Sequence, residues 1–279
     1  MKINQTDLII TEYKIPIKNV KRKVIYHISD CHISEYDDES TDVEIFKAKR
    51  ESEYWLSLRS QFTREHNQPI CRCHDLPALD NLDRLLAVAS DGDAVILTGD
   101  IMDYVSQPNV RILKNRLSAL TAPYLYVRGN HEPLSDMQGI SEDFIERIKR
   151  PFQAIELDGI ILVGIDNADR VIDESVIPSL KRIFDKNKPV IVAMHVPIMT
   201  DSNEHLLSGE NEYFRLNHSN APASTDKFIS LLRENAENTV AVLAGHLHAP
   251  FIGNFFGESV QIICSQGISG NINKYIIGE

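Results

Sequence analysis

Seven short runs rich in Val, Ile, Leu and Ala recur along the chain, and most of them end in a cluster of polar residues. The runs are Val24–Ser29, Ala94–Thr98, Tyr124–Val127, Ile160–Ile165, Val190–Met194, Thr239–Ala244 and Val260–Cys264. Continuous apolar runs of this length fit strands covered on both faces. Helical spacing fills several of the gaps, over Leu79–Ala89, Val110–Leu120, Ser141–Lys149, Ser175–Asn187 and Thr225–Asn235. Alternating strand and helix predicts an α/β layered fold. Two stretches break the rhythm. Glu35–Pro77 is charged and partly helical over Glu44–Phe62, with the only tryptophan, Trp55; Pro197–Ser224 is polar and without periodicity. Long loops in compact domains are usually functional or mobile.

The polar clusters at the strand ends are specific. They read Ser29-Asp30-Cys31-His32, Gly99-Asp100-Ile101-Met102-Asp103, Arg128-Gly129-Asn130-His131-Glu132, a lone His195, and Gly245-His246-Leu247-His248. Ligands of α/β sheets gather at the carboxyl ends of strands, so separated pieces can meet in one crevice. Asp30 and His32 are two apart, and in an extended segment both would point the same way and grip one ion. His246 and His248 repeat the pattern. Carboxylate, imidazole and amide suit Mn, Fe, Zn and related cations. The glycines before Asp100, Asn130 and His246 let the backbone turn sharply out of a strand.

The ordered set D-x-H, G-D-x-x-D, G-N-H-E, a lone His and G-H-x-H, spanning Asp30 to His248, resembles the calcineurin-like metallophosphoesterase superfamily. The resemblance implies a layered α/β/β/α sandwich of two mixed sheets, formed by one domain over residues 1–279. Insert 35–77 and loop 197–224 would flank the metal crevice. It implies two divalent or trivalent metal ions, Mn, Fe, Zn or a mixed pair. Asp30, His32 and His248 would bind the first, Asn130, His195 and His246 the second, and Asp100 would bridge them. His131 matches the family's catalytic histidine, and Asp103 the acidic residue that orients it. Asp103 read without the family is equally a helix N-cap or an ion-pair residue. The implied reaction is attack by a metal-bridging hydroxide on a phosphoester.

Charge narrows the partners. The 29 Lys and Arg against 40 Asp and Glu give a net charge of −11, which disfavours bare nucleic acid and anionic membrane surfaces. Two dications against Asp30 and Asp100 leave the site about +2, so an acidic protein can still bind phosphate there. No apolar run reaches the ~20 residues of a membrane span, and Met1–Ile10 lacks a signal-peptide cleavage pattern. Four cysteines, Cys31, Cys71, Cys73 and Cys264, are too few and too uneven for a disulfide framework. A cytoplasmic location is expected, and the oligomeric state is left open.

Other polar residues have plainer readings. His27 lies inside a strand and is expected to be a hydrogen-bonded core residue. His66, Cys71, Cys73 and His74 lie close together but lack the paired C-x-x-C spacing of structural zinc sites. His205 and His218 are expected to be solvated loop residues, and Cys31 to point away from the metals. Asp166 and Asn167 read as turn residues. Arg128 and Tyr104 are candidates either for substrate phosphate or for packing.

Within the superfamily the chain is most similar to the bacterial phosphodiesterase-like branch. The expected substrate is a small phosphodiester or phosphomonoester, of cyclic nucleotide, nucleotide or phospholipid head-group type. A Ser/Thr phosphoprotein phosphatase is an alternative, against which stand Tyr104 and Ile33, where those enzymes have Arg and Gly. A superfamily nuclease shares the G-D-x-x-D motif, but a basic face is missing. A non-catalytic scaffold on the same fold would typically lose ligands or the catalytic histidine, and here every motif position is filled.

Overall fold

The computed structural model describes residues 7–140 and 143–279. Met1–Thr6 and Ser141–Glu142 lie outside the described residues, and with them most of the Met1–Ile10 segment and the start of the helix expected over Ser141–Lys149. Among the described residues, eleven strands form two mixed sheets. The first holds β1 (Ile9–Ile15), β11 (Asn271–Ile277), β2 (Lys23–Ile28), β3 (Ala94–Leu97) and β4 (Tyr124–Tyr126), in that order. The second holds β5 (Phe152–Leu157), β6 (Ile160–Ile165), β7 (Val190–Ala193), β8 (Thr239–Ala244), β10 (Val260–Ile263) and β9 (Phe251–Asn254).

The two sheets face each other across a core that includes Ile25, Ile96, Leu162, Ile191, Leu243 and Tyr275. On the outer face of the first sheet pack α1 (Asp42–Glu65), α2 (Ala78–Ala89), α3 (Gln107–Ser118) and α4 (Asp143–Ile148), through Leu82, Leu85, Leu113 and Ile145. On the outer face of the second pack α5 (Val176–Phe184) and α7 (Ala223–Glu234), through Leu180 and Phe228. This is the expected α/β/β/α order.

Local chemistry sets the helix ends. Thr41 and Glu44 form a reciprocal capping box that starts α1 two residues before the expected Glu44. Ser106 caps α3 through the Asn109 amide, with Pro108 in the first turn, so α3 begins three residues before Val110. Asp103 is therefore not the cap. The 197–224 segment is not irregular throughout. It contains the short α6 (Glu204–Leu207) and a 3-10 turn over Gly209–Phe214, and it runs into α7.

Strands β1, β5, β9 and β11 have no counterpart among the expected strands. β1, β5 and β9 expose part of their side chains, so their sequences alternate instead of forming continuous apolar runs. β11 is mostly buried but carries Asn271 and Asn273 inward, which interrupts the apolar signal. Parallel pairing of β2 with β3 and β3 with β4, and of β7 with β8, aligns the carboxyl ends that matter for function. Among the described residues, no helix is long and apolar enough to cross a membrane.

Candidate metal centre

The loops leaving β2, β3, β4, β7 and β8 carry Asp30 and His32, Asp100, Asn130, His195, and His246 and His248. The Asp and His donor atoms, together with His131, fall into groups whose members lie within 4.8 Å of one another: Asp30, His32 and His248; Asp100, His195 and His246; and His32, Asp100 and His131. His32 Nε2 lies 3.1 Å from His248 Nε2, which is itself 3.4 Å from Asp30 Oδ1. On the other side, His195 Nε2 sits 2.9 Å from Asn130 Oδ1 and 3.3 Å from Asp100 Oδ2.

This convergence is not achieved by extended D-x-H and H-x-H segments. Asp30 and His32 have φ of 54° and 47°, Asp100 50°, and His246 and His248 72° and 55°. Five of the seven donors thus sit in the left-handed region, which non-glycine residues seldom adopt and which marks functional sites. Cys31, between two of them, is buried in the outer core beside Gly267, as expected. Of the motif glycines, Gly99 has a positive φ of 84°. Gly129 and Gly245 are needed for space instead. A Cβ at 129 would meet Asp100 Oδ1 at 2.0 Å, and one at 245 would meet Ser29 Oγ at 1.9 Å and Ser29 Cβ at 2.9 Å. Rotating Ser29 cannot relieve the second clash. Gly245→Ala is expected to lose roughly 1–3 kcal/mol of stability, read as a lower urea midpoint; an unchanged midpoint contradicts this.

Backbone donors hold the carboxylates. His246 N–H donates to Asp30 Oδ2 at 3.0 Å, and His131 N–H to Asp100 Oδ1 at 2.9 Å. Burial works against the charge on Asp30, but the hydrogen bond and charge of His248 and the charge of His195 hold its carboxyl at about 2. Burial likewise opposes His195, yet Asp100, Asp30 and the Thr98 carbonyl raise its imidazolium to about 9. His246 is lowered to about 3, first by burial and then by His195.

Such a site suits metal ions. Imidazole nitrogens face one another and carboxylate oxygens at short range, and His246 Nε2 is buried without a hydrogen-bond partner. Neutral imidazole, carboxylate and amide oxygen are the donor types of borderline and hard dications, and a cation would take the place of the proton held by His195.

His131 and Asp103 stand beside these donors. His131 Nδ1 lies 3.0 Å from Asp103 Oδ1 and 2.9 Å from the Asp103 carbonyl, and its ring is 35% exposed. Burial lowers its pKa, but the hydrogen bond it donates to Asp103 and the charges of Asp100 and Asp103 outweigh it and raise the imidazolium to about 9. Glu132 lies behind, accepting from Tyr126 Oη at 2.5 Å and from the amides of Ile101, Met102 and Gly129.

The remaining polar residues sort as follows. His27 bridges Tyr275 Oη and Thr98 Oγ1 inside the core, as expected. Arg128 does not face substrate. Its guanidinium is buried and bonded to Asp166 at 2.7 Å, Asp169 at 2.8 Å and the Glu132 carbonyl. Asp166 is thereby more than a turn residue. So is Asn167, whose Oδ1 accepts from the amides of His195 and Val196 and whose Nδ2 donates to the Val196 carbonyl. Tyr104 lies under Lys47 and is not part of the crevice lining. His74 is occupied by Thr63 and Asp75, and Cys71 by the Ser269 carbonyl. Among the described residues, these side chains form no metal-binding group.

The donors open into a crevice of about 550 Å³. Insert helix α1 supplies Trp55, Phe62 and Glu65 to one wall, and the 197–224 segment supplies His205, Tyr213 and Phe214 to the other. His205 is exposed, as expected, and also lines the crevice; His218 does not line it. Among the described residues that line it there is no Lys or Arg.

The family model described as calcineurin-like phosphoesterase matches residues 23–250. The chain is 28% identical over 123 residues to the DNA double-strand break repair protein Mre11 of Sulfurisphaera tokodaii, a match over 39% of this chain and 32% of that protein. It thus spans about a third of the length of that curated relative. Among solved structures, a dimetal phosphatase from Danio rerio superposes with a TM-score of 0.58 at 12% identity, covering 92% of this chain and 93% of that one. The protein TT1561 of Thermus thermophilus superposes with a TM-score of 0.48 at 14% identity, covering 89% and 91%. The Danio rerio likeness is one of fold.

Proposed function

The chain belongs to the calcineurin-like phosphoesterase family, and from that premise we propose that it hydrolyses small phosphomonoesters or phosphodiesters with two bound metal ions. The observation that carries this reading is the convergence of Asp30, His32, His248, Asp100, Asn130, His195 and His246 at one centre, of which Asp100, Asn130, His246 and His248 line the crevice. Asp30, His32 and His248 would hold one ion, and Asn130, His195 and His246 the other. Asp100, grouped both with His32 and with His195 and His246, would be shared by the two. Mn, Fe and Zn all accept this donor set. When bound, such ions supply Lewis acidity toward phosphoryl oxygen and acidify water.

The chain's own residues do the rest. Asp103 and its own carbonyl engage His131 Nδ1, leaving Nε2 to deliver a proton to the departing ester oxygen. Asn167 fixes the backbone of His195, as an outer contact to a ligand does. Buried Asp30 and Asp100 repel a phosphoester unless cations offset them, so binding depends on the metal.

A crevice whose described lining residues include no Lys or Arg, with Phe62, Tyr213 and Phe214 at its walls, suits one phosphoryl group bearing an apolar or flat organic group. It does not suit a polyphosphate or a DNA backbone, for which basic side chains are the usual partners. The same reading treats residues 1–279 as one domain acting in the cytoplasm. The purified chain with Mn²⁺ is expected to hydrolyse bis(p-nitrophenyl) phosphate or p-nitrophenyl phosphate. Hydrolysis of neither contradicts the proposal.

A further inference from the structure

We propose that Trp55, contributed by the insert, is a positioning residue that holds the Asp103 carboxylate between His131 and His32. The inference rests on the hydrolase reading above. Trp55 is the only tryptophan of the chain, and it is buried. Its indole N–H donates to Asp103 Oδ1 at 2.6 Å. That same oxygen faces His131 Nδ1 at 3.0 Å and His32 Nδ1 at 3.7 Å, while Oδ2 accepts from Ser34 Oγ at 3.3 Å. The indole face stacks on His32 with centroids 3.6 Å apart and planes at 17°, and it stands edge-on to His131 at 5.6 Å.

One oxygen serving three groups has to be fixed in direction, because a carboxylate free to turn can serve His32 at the expense of His131. A buried indole N–H requires a partner, and one bonded to a carboxylate is charge-assisted and directional. The rigid ring sets the direction. Helix α1 is itself pinned along and just past its C-terminal half. Arg59 donates to the carbonyls of Leu76 and Ile268, and Gln68, just beyond the helix, donates to the His248 carbonyl at 2.6 Å and accepts from Ser265 Oγ. Insert 35–77 therefore completes the centre as well as walling the crevice.

The test compares two esters that differ in their need for a proton on the leaving oxygen, p-nitrophenyl phosphate and phenyl phosphate. Trp55→Phe in the Mn²⁺-loaded protein is expected to lower kcat on phenyl phosphate by about tenfold or more and on p-nitrophenyl phosphate by less than about threefold. KM and the number of bound ions stay at wild-type values. Equal losses on both esters, or a loss explained by missing metal, would overturn the inference. Because the chain has a single tryptophan, biosynthetic replacement by benzothienylalanine alters only position 55. It keeps the ring while removing the donor, and it gives the same comparison if the Phe variant folds poorly. The contact is read separately in the metal-free protein as the single indole N–H resonance, which is expected to move upfield in Asp103→Asn; an unmoved signal overturns the inference. If the wild type acts on diesters instead, the same comparison is made with bis(p-nitrophenyl) phosphate and diphenyl phosphate; wild-type hydrolysis of none of these esters would remove the proposed function and this inference with it. Wild-type hydrolysis with unaltered ester discrimination in the variants removes the inference alone.

Discussion

Asp100→Asn is expected to reduce phosphoester hydrolysis by about a thousandfold or more, because it removes the carboxylate assigned to both metal ions. The substitution is close to isosteric. An amide oxygen can still accept the His131 N–H that Asp100 Oδ1 accepts at 2.9 Å, so the fold has no steric reason to change. The charge is what is lost. Asp100 is buried between two groups of donors, and it is the foremost charge that raises His195 to about 9 in the absence of metal. Without it, His195 loses its foremost buried counter-charge, and each ion would lose the anionic ligand assigned to it. Bound metal is therefore expected to fall together with kcat/KM, while the circular dichroism spectrum stays that of the wild type. Undiminished hydrolysis would refute the bridging assignment.

His131→Ala is expected to lower kcat by about 10²–10⁴-fold, the range of a positioned general acid, with both ions retained. The contrast with Asp100→Asn is the informative part. His131 Nδ1 is engaged by the carboxylate and carbonyl of Asp103, and its ring is partly exposed on the crevice side. Removing it deletes a proton donor without deleting a principal metal donor. The loss should be larger for phenyl phosphate than for p-nitrophenyl phosphate, whose leaving group departs readily without a proton. Equal losses on the two esters, or a fall in metal content, would assign His131 to metal binding, consistent with its grouping beside His32 and Asp100.

The site was more legible than the sheets that carry it. Short buried strands such as β3 and β7 announce themselves as continuous apolar runs, and the polar residues just past them fall on neighbouring carboxyl ends because parallel pairing aligns those ends. Strands β1, β5 and β9 are partly exposed, and their mixed sequences give no such run. The backbone of the site was not legible either. Asp30, His32, His246 and His248 converge through positive φ, a property that residue spacing does not encode.

Residues that act from behind were hidden for a related reason. Asn167 and Trp55 reach His195 and Asp103 across elements far apart in sequence, by 28 and 48 residues. A lone tryptophan in a charged helix and an amide at the end of β6 were the only local signs of either. Arg128 was readable only as two alternatives. An arginine next to G-N-H-E fits a phosphate contact or packing alike, and two carboxylates beyond β6, out of sight in the local sequence, bind it.

Metal stoichiometry tests the central claim most directly. The purified chain, stripped with chelator and reloaded with Mn²⁺ or Zn²⁺, is to be analysed by elemental analysis alongside hydrolysis of bis(p-nitrophenyl) phosphate and p-nitrophenyl phosphate. Two ions per chain are expected, with hydrolysis that vanishes on stripping and returns as the second ion binds, and with loss of both in Asp100→Asn. Fewer than two ions at full activity, or hydrolysis that survives chelation, would contradict that claim.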